Sequence, residues 1–109
     1  MTVELLYLPG CPNYANAADL IRNVLAAEGL KSGFIETPVS NSEEASSQGF
    51  LGSPTLRVNG QDIEDLPPDR QIGFACRTYS VGGRPQGIPP RSWLERAIRA
   101  ARILEEGQS

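Results

Sequence analysis

Histidine is absent from this chain of 109 residues, and this absence removes several classes of chemistry. Histidine is the commonest general base near neutral pH and a frequent zinc ligand. A Ser-His-Asp or Cys-His catalytic centre is therefore excluded within the chain. Because there are only two cysteines, a closed tetrahedral zinc site would need carboxylate ligands or a partner chain.

Basic charge is also scarce, and it is spread along the chain. Arg and Lys together number 10, only Lys31 is a lysine, and the formal net charge is -3. This balance gives no support to nucleic acid as a partner. The sequence has no apolar run long enough to cross a membrane and no signal-peptide pattern, so we expect a cytoplasmic protein without a membrane partner.

The first cysteine lies between a predicted strand and a predicted helix. Residues 3–8 are apolar enough for a buried strand, Gly10 permits a sharp turn, and Pro12 suits the first position of a helix. Cys11 is therefore predicted at or near the helix N-cap, where unpaired N–H groups and the helix dipole favour a reactive thiolate. The alternative is a small hydrophobic residue at a turn.

Two segments have the apolar periodicity of a helix. The first covers residues 13–28 and would end at Gly29, and the second runs from about residue 90 to 106. The polar residues 40–48 form either a short helix capped by Ser42 or a loop. The apolar stripes are Ala17, Ala18, Ile21, Val24 and Leu25 in the first helix and Trp93, Leu94, Ala97, Ile98, Ala101 and Leu104 in the last.

Three further strands complete the predicted sheet. Residues 31–39 form one strand and residues 55–58 form the next. Asn59-Gly60 is the favoured pair for a two-residue hairpin turn, and it leads into an edge strand at residues 61–64.

The second cysteine lies in a long connection. The chain length suits a single domain over residues 1–109, in which residues 65–90 form an irregular insertion rich in Pro, Gly and Arg. Such long connections are uncommon in small domains and are often functional. Arg77 would favour the thiolate of its neighbour Cys76. The alternative is a buried Cys76 that packs beside Phe74.

The order of elements and two motifs resemble the thioredoxin fold in its shorter, glutaredoxin-like form. The motifs are Pro-Gly-Cys-Pro at residues 9–12 and Gly-Ser-Pro-Thr at residues 52–55. The resemblance implies an α/β domain with a four-stranded mixed sheet, in the order β-α-β-α-β-β-α, and a long loop before the last helix. It also implies a cis peptide bond before Pro54, which would lie against Cys11. Tyr14 stands where the family commonly has its second thiol.

The chain is also similar to small bacterial thioredoxin-like proteins often labelled alkylmercury-lyase-like. Cys-Pro-Asn at residues 11–13, Gly-x-x-Cys-Arg-x-Tyr at residues 73–79 and Gly-Ile-Pro-Pro at residues 87–90 carry this similarity. The similarity implies that thiolates bind mercury and that an acid protonates the carbon of an organomercurial. The candidate acids, by position alone, are Asp62, Glu64 and Asp65.

Three functions follow as hypotheses. In the first, Cys11 attacks a disulfide of a protein or small molecule, and Cys76 or an external thiol resolves the mixed disulfide. In the second, Cys11 and Cys76 bind a soft metal such as mercury or copper(I). In the third, the thiols are incidental, and a groove near Pro54 binds an extended peptide by strand addition.

The first hypothesis places five further side chains around the substrate and needs no cofactor. Tyr14 would either donate a hydrogen bond to the Cys11 sulfur or pack against a neighbour. The expected substrate-binding residues are Pro12, Tyr14, Ser53, Pro54 and Arg77.

Overall fold

The computed structural model describes residues 1–31, 33–64 and 72–106. Its elements, in chain order, are β1 (Val3–Tyr7), α1 (Tyr14–Ala27), β2 (Ile35–Pro38), α2 (Ser42–Gln48), β3 (Thr55–Val58), β4 (Gln61–Asp62), β5 (Tyr79–Val81), β6 (Arg84–Gln86) and α3 (Arg91–Glu106). The predicted order of strands and helices is confirmed, with β5 and β6 added before α3. None of the helices in these ranges is both long enough and apolar enough to cross a membrane.

Strands β1 to β4 form one mixed sheet in the order β2-β1-β3-β4. The connection through α1 makes β1 parallel to β2, whereas β1 and β3 are antiparallel. Strands β3 and β4 form a hairpin around Asn59-Gly60, as predicted. The four-stranded mixed sheet and three helices of the predicted α/β architecture are therefore confirmed.

Two adjacent leucines in β1 contribute to different parts of the core. Successive side chains of a strand point to opposite faces, so Leu5 and Leu6 are both buried but on different sides of the sheet. Leu5 packs among the apolar residues of α1, β3 and α3. Leu6 packs with Val39, with Ala45 of α2 and with Phe50. Helices α1 and α3 therefore share one face, and α2 packs on the other.

The start of α1 differs from its predicted start. The helix begins at Tyr14 with Asn13 at its N-cap, so Pro12 is not the first helical residue. Cys11 precedes the cap by two residues because a turn comes first. In that turn, the Cys11 N–H donates to the Leu8 carbonyl at 3.0 Å, and the Tyr14 N–H donates to the Cys11 carbonyl at 3.2 Å.

The two other helices also differ in detail from their predictions. Residues 42–48 form the predicted short helix, but its N-cap is Asn41, whose side chain accepts a hydrogen bond from the Glu44 N–H at 2.8 Å. Ser42 is therefore the first helical residue. In α3 the buried stripe ends at Ala101, and Leu104 is exposed.

Two strands are shorter than predicted. The strand predicted over residues 31–39 pairs with β1 only from Ile35. The edge strand predicted over residues 61–64 ends at Asp62, because the Glu64 N–H turns back to the Asp62 carboxylate at 2.9 Å.

The connection before α3 is more regular than predicted. Residues 65–71 lie outside the described ranges, but β5 and β6 form an antiparallel hairpin with Gly82-Gly83 at its turn. Tyr79, the first residue of β5, is fully buried. The expectation of an irregular stretch over residues 65–90 is therefore wrong for its second half.

Candidate functional site

The Cys11 turn (residues 8–13) joins β1 to α1 and presents a half-buried thiol. The turn contacts the segment that leads into α3. A Cβ built on Gly87 would lie 2.4 Å from Nδ2 of Asn13, so a larger residue would displace this contact. Two of the segments that carry the second resemblance, residues 11–13 and 87–90, therefore touch each other.

Ser53, the residue before Pro54, is bonded directly to the Cys11 turn. The buried Ser53 hydroxyl accepts a hydrogen bond from the Leu8 N–H at 2.9 Å. The Ser53–Pro54 peptide bond is cis, as predicted. The Pro54 carbonyl accepts a hydrogen bond from the Tyr79 hydroxyl at 2.5 Å. Ser53 therefore fixes the start of the Cys11 turn, and the Tyr79 hydroxyl fixes the carbonyl of Pro54.

The Cys76 segment (residues 73–77) pairs with Ser53 through its backbone. The Ser53 N–H donates to the Ala75 carbonyl at 2.9 Å, and the Arg77 N–H donates to the Ser53 carbonyl at 2.8 Å. These two bonds form a parallel bridge between Ser53 and Cys76. Sequence analysis missed this contact, because backbone pairing between distant segments requires no particular side chain.

Gly52 allows the Cys76 segment to approach the backbone before Ser53 closely. A Cβ on Gly52 would lie 2.8 Å from the Arg77 Cβ and 3.2 Å from the Ala75 carbonyl oxygen, and the residue has a φ of +115°. Both the close approach and the backbone conformation require glycine. Glycine before Ser-Pro was the one sequence signal of this contact.

Ser53 therefore links the two segments that carry the cysteines. Neither cysteine is in a disulfide. Cys76 is exposed, and Phe74 is 44% exposed, so the alternative of a buried Cys76 packed beside Phe74 is wrong. The two cysteines differ in environment: Cys11 is half-buried in the turn before α1, and Cys76 is exposed on the segment that pairs with Ser53.

Arg77 anchors the Cys76 segment in a buried ion pair network. Its side chain is 0% exposed and donates to both carboxylate oxygens of Asp62, at 2.6 and 2.9 Å, and to Glu64 at 2.8 Å. Burial alone would lower the pKa of the guanidinium, but hydrogen bonds to Asp62 and the carboxylate charge outweigh it, so the pKa is raised. The charge of Arg77 is therefore directed at carboxylates rather than at Cys76.

Tyr79 connects this network to Pro54, whose carbonyl its hydroxyl bonds. The Arg77 guanidinium carbon lies 4.3 Å from the centre of the Tyr79 ring, and Trp93 of α3 meets the ring edge-on with centroids 6.2 Å apart. Burial raises the pKa of Tyr79 well above its usual value of 10.0, although Arg77 opposes this shift. Sequence analysis did not assign Tyr79 a role, although side chains two residues apart in an extended segment lie on the same face.

Tyr14 is occupied by neighbours other than the Cys11 sulfur. Its ring lies 4.3 Å from the Tyr7 ring, and its hydroxyl donates to Glu36. That hydrogen bond raises the pKa of Tyr14 above 10.0. Of the two predicted roles, packing is the one that the structure contains.

The candidate acids of the organomercurial hypothesis serve Arg77. Asp62 and Glu64 both accept hydrogen bonds from the guanidinium, and Asp65 lies outside the described residues. Within residues 1–31, 33–64 and 72–106, no group of three or more Cys, Asp or Glu side chains is placed to hold a metal ion.

Two thiols on segments joined by one buried serine can support nucleophilic attack on a disulfide, resolution by a second thiol, or binding of a soft ion. Pro12, exposed in the Cys11 turn, flanks the first thiol.

Comparison with protein-family models, with curated proteins and with solved structures gave no match in any of the three.

Proposed function

We propose that this protein has the thioredoxin fold in its glutaredoxin-like form and acts as a thiol–disulfide oxidoreductase, with Cys11 as the attacking thiol. The observation that carries the proposal is the position of Ser53. Its hydroxyl bonds to the Cys11 turn, and its backbone pairs with the Cys76 segment. An attacking thiol and a resolving thiol must lie on neighbouring segments, and Ser53 joins two such segments.

The surroundings of Cys11 support its role as the attacking thiol. The thiol lies two residues before the N-cap of α1, and the first N–H groups of a helix have no intrahelical partners. Those groups and the positive end of the helix dipole favour negative charge near this turn. Cys11 is partly exposed, so a substrate can reach this residue.

The proposed reaction is a two-step exchange. The Cys11 thiolate attacks one sulfur of a disulfide, forms a mixed disulfide with it and releases the other half as a thiolate. The Cys76 thiolate then attacks the Cys11 sulfur, and the second half of the substrate leaves. The two cysteines are oxidised to one disulfide while the substrate is reduced to two thiols. An external dithiol returns the protein to its starting state.

The proposal is tested by mass spectrometry after reaction with a small disulfide. The native chain should form an internal disulfide and release two thiols. The Cys76→Ser variant should stop at a mixed disulfide on Cys11, and the Cys11→Ser variant should not react productively. Each serine variant is the matched control for the other, because both remove one thiol. A Cys11→Ser variant that reduces the substrate at the native rate would overturn the proposal.

A second candidate function uses the same pair of thiols to bind a soft ion such as mercury or copper(I). The bridge between Ser53 and Cys76 favours it, because it brings the Cys76 segment to the residue that bonds the Cys11 turn. Breaking a carbon–mercury bond is less well supported, since Asp62 and Glu64 are engaged by Arg77. Copper(I) or mercury affinity should fall when either cysteine is replaced by serine; unchanged affinity in Cys76→Ser would exclude a dithiol site.

A further inference from the structure

We infer that the Cys76 segment restricts Cys11 to low-molecular-weight disulfides, because it occupies the backbone position at which an extended polypeptide would pair beside Cys11. This inference rests on the proposed function and names the substrate class of the same site. The segment already pairs with Ser53, next to Pro54. A partner chain therefore cannot add as a strand at this position.

The backbone groups of Ser53 are the first part of the argument. An extended peptide is commonly held by main-chain hydrogen bonds to a strand-like segment of its receptor. Ser53 has one N–H and one carbonyl to offer, and the chain itself uses both, with Ala75 at 2.9 Å and Arg77 at 2.8 Å. A peptide that paired with Ser53 would first have to break these two bonds.

The position of Ser53 is the second part. Its hydroxyl bonds to the N–H of Leu8, and the carbonyl of Leu8 accepts the N–H of Cys11. Ser53 is therefore bonded directly to Leu8, the residue of the Cys11 turn whose carbonyl accepts the Cys11 N–H. A polypeptide substrate that needs backbone support beside Cys11 would use Ser53 for it.

The anchoring of the Cys76 segment is the third part. Arg77 supplies one of the two bonds to Ser53, and its side chain is 0% exposed in contact with Asp62 and Glu64. Lifting the segment away from Ser53 would pull on this network and leave charged groups without partners. The segment is therefore held in place more firmly than by its two backbone bonds.

A small disulfide avoids this obstacle. It can approach the partly exposed Cys11 without backbone pairing at Ser53. The exchange itself is unchanged: Cys11 bonds to one sulfur of the substrate, and the other sulfur leaves as a thiolate with the electron pair of the broken bond.

The test compares two probes with the same leaving group. Both are mixed disulfides of 5-thio-2-nitrobenzoate, one with free cysteine and one with the central cysteine of a flexible peptide of about fifteen residues, long enough to pair as a strand. The protein is the Cys76→Ser variant, so that only attack by Cys11 releases the coloured thiolate. Only the peptide probe has to displace the two backbone bonds of Ser53, so we expect it to react about ten- to thirtyfold more slowly than the cysteine probe. The same protein in denaturant provides the intrinsic ratio of the two probes.

Variants that loosen the anchor should reduce this difference. In the same background, Glu64→Gln, Arg77→Lys and Arg77→Ala remove progressively more of the network, and the peptide probe should gain on the cysteine probe in that order. Arg91→Ala is the matched control, because Arg91 pairs with Glu95 on the exposed side of α3. If Arg77→Ala fails to fold, the two milder variants still give the order.

The outcomes separate the inference from the proposed function. If the ratio of the two rates with folded protein equals the ratio in denaturant, the inference is overturned and the oxidoreductase is left intact. A slow peptide probe whose relative rate does not change in folded anchor variants would overturn it as well, since another feature would then exclude the peptide. If neither probe reacts faster with folded than with denatured protein, the proposed function and the inference both fail.

Discussion

The two segments that carry cysteines are held in place by different means. The Cys11 turn is closed by hydrogen bonds among residues 8–14, all near neighbours in the chain. The Cys76 segment is held by Ser53, Asp62 and Glu64, which lie between 13 and 24 positions away from Arg77. Local bonds re-form whenever the turn forms, whereas the distant contacts exist only in the folded domain.

This difference makes the Cys76 segment the more vulnerable of the two. It depends on one buried cation, and a buried charge that loses its partner is costly. The Cys11 turn has the start of α1 on one side and β1 on the other, and it adds one hydrogen bond to Ser53. Changes that distinguish these two kinds of support are the sharpest tests of the comparison.

The largest effect is expected from Arg77→Ala. The change leaves Asp62 and Glu64 largely buried without a positive partner, and it should lower the free energy of unfolding by about 3–5 kcal/mol. Urea denaturation followed by circular dichroism measures this loss. Arg91→Ala, which breaks an exposed pair with Glu95, should cost under ~1 kcal/mol. Similar losses in both variants would contradict the role of Arg77 as the anchor.

A smaller effect is expected where the two segments meet. Ser53→Ala removes the acceptor of the Leu8 N–H and should cost about 1–3 kcal/mol, because that donor is partly buried. It should also slow formation of the disulfide between Cys11 and Cys76, since the Cys11 turn is then less firmly held. Oxidation at fixed glutathione potential measures the second effect. Ser47→Ala, at an exposed serine of α2, is the control and should change neither quantity.

Alkaline pH should destabilise the fold through Tyr79, the tyrosine that bonds the Pro54 carbonyl. Tyr79 ionises near pH 10.0 in the unfolded chain, and burial raises its pKa in the folded protein. The stabilising contribution is therefore complete below pH 10 and is lost as pH rises above it, by at most about 1.4 kcal/mol per pH unit. Urea denaturation between pH 8 and about 11.5 should show a steeper decline for the native chain than for Tyr79→Phe. Parallel curves would show that Tyr79 does not remain protonated in the fold.

The smallest effect is expected from Tyr14→Phe. The Tyr14 hydroxyl donates to the exposed Glu36 and does not bond the Cys11 sulfur. The rate at which Cys11 releases thionitrobenzoate from the cysteine probe should therefore stay within about twofold of the parent, as for a surface change away from the reacting atoms. A large fall in that rate would revive the predicted hydrogen bond between Tyr14 and the sulfur.

Prediction from the sequence succeeded where one residue type decides the local backbone. Asn59-Gly60 marked the hairpin turn, and Gly29 marked the end of α1. The cis bond before Pro54 was instead expected from the resemblance that the Gly-Ser-Pro-Thr motif carries. The apolar stripe of α1 was also read correctly, because burial along a helix repeats with its period. The cap residues were less predictable, since a turn before a helix moves its start by a few residues.

Prediction failed for features that depend on a choice of partner. Arg77 was expected to act on Cys76, its neighbour in the chain, but its side chain points to the opposite face of the segment, toward Asp62 and Glu64. The β5–β6 hairpin was missed because Pro and Gly in that stretch indicate turns more strongly than strands.

The sequence by itself determined the local parts of this protein: a cysteine turn between a strand and a helix, a Gly-Ser-Pro motif, and two amphipathic helices. These are encoded by residue types and spacings over a few positions. The tertiary structure decided which distant groups meet, namely Ser53 with Cys76 and Arg77 with two carboxylates. Those contacts depend on how the sheet and the later segments pack, because backbone pairing and burial of a charge are properties of the assembled fold.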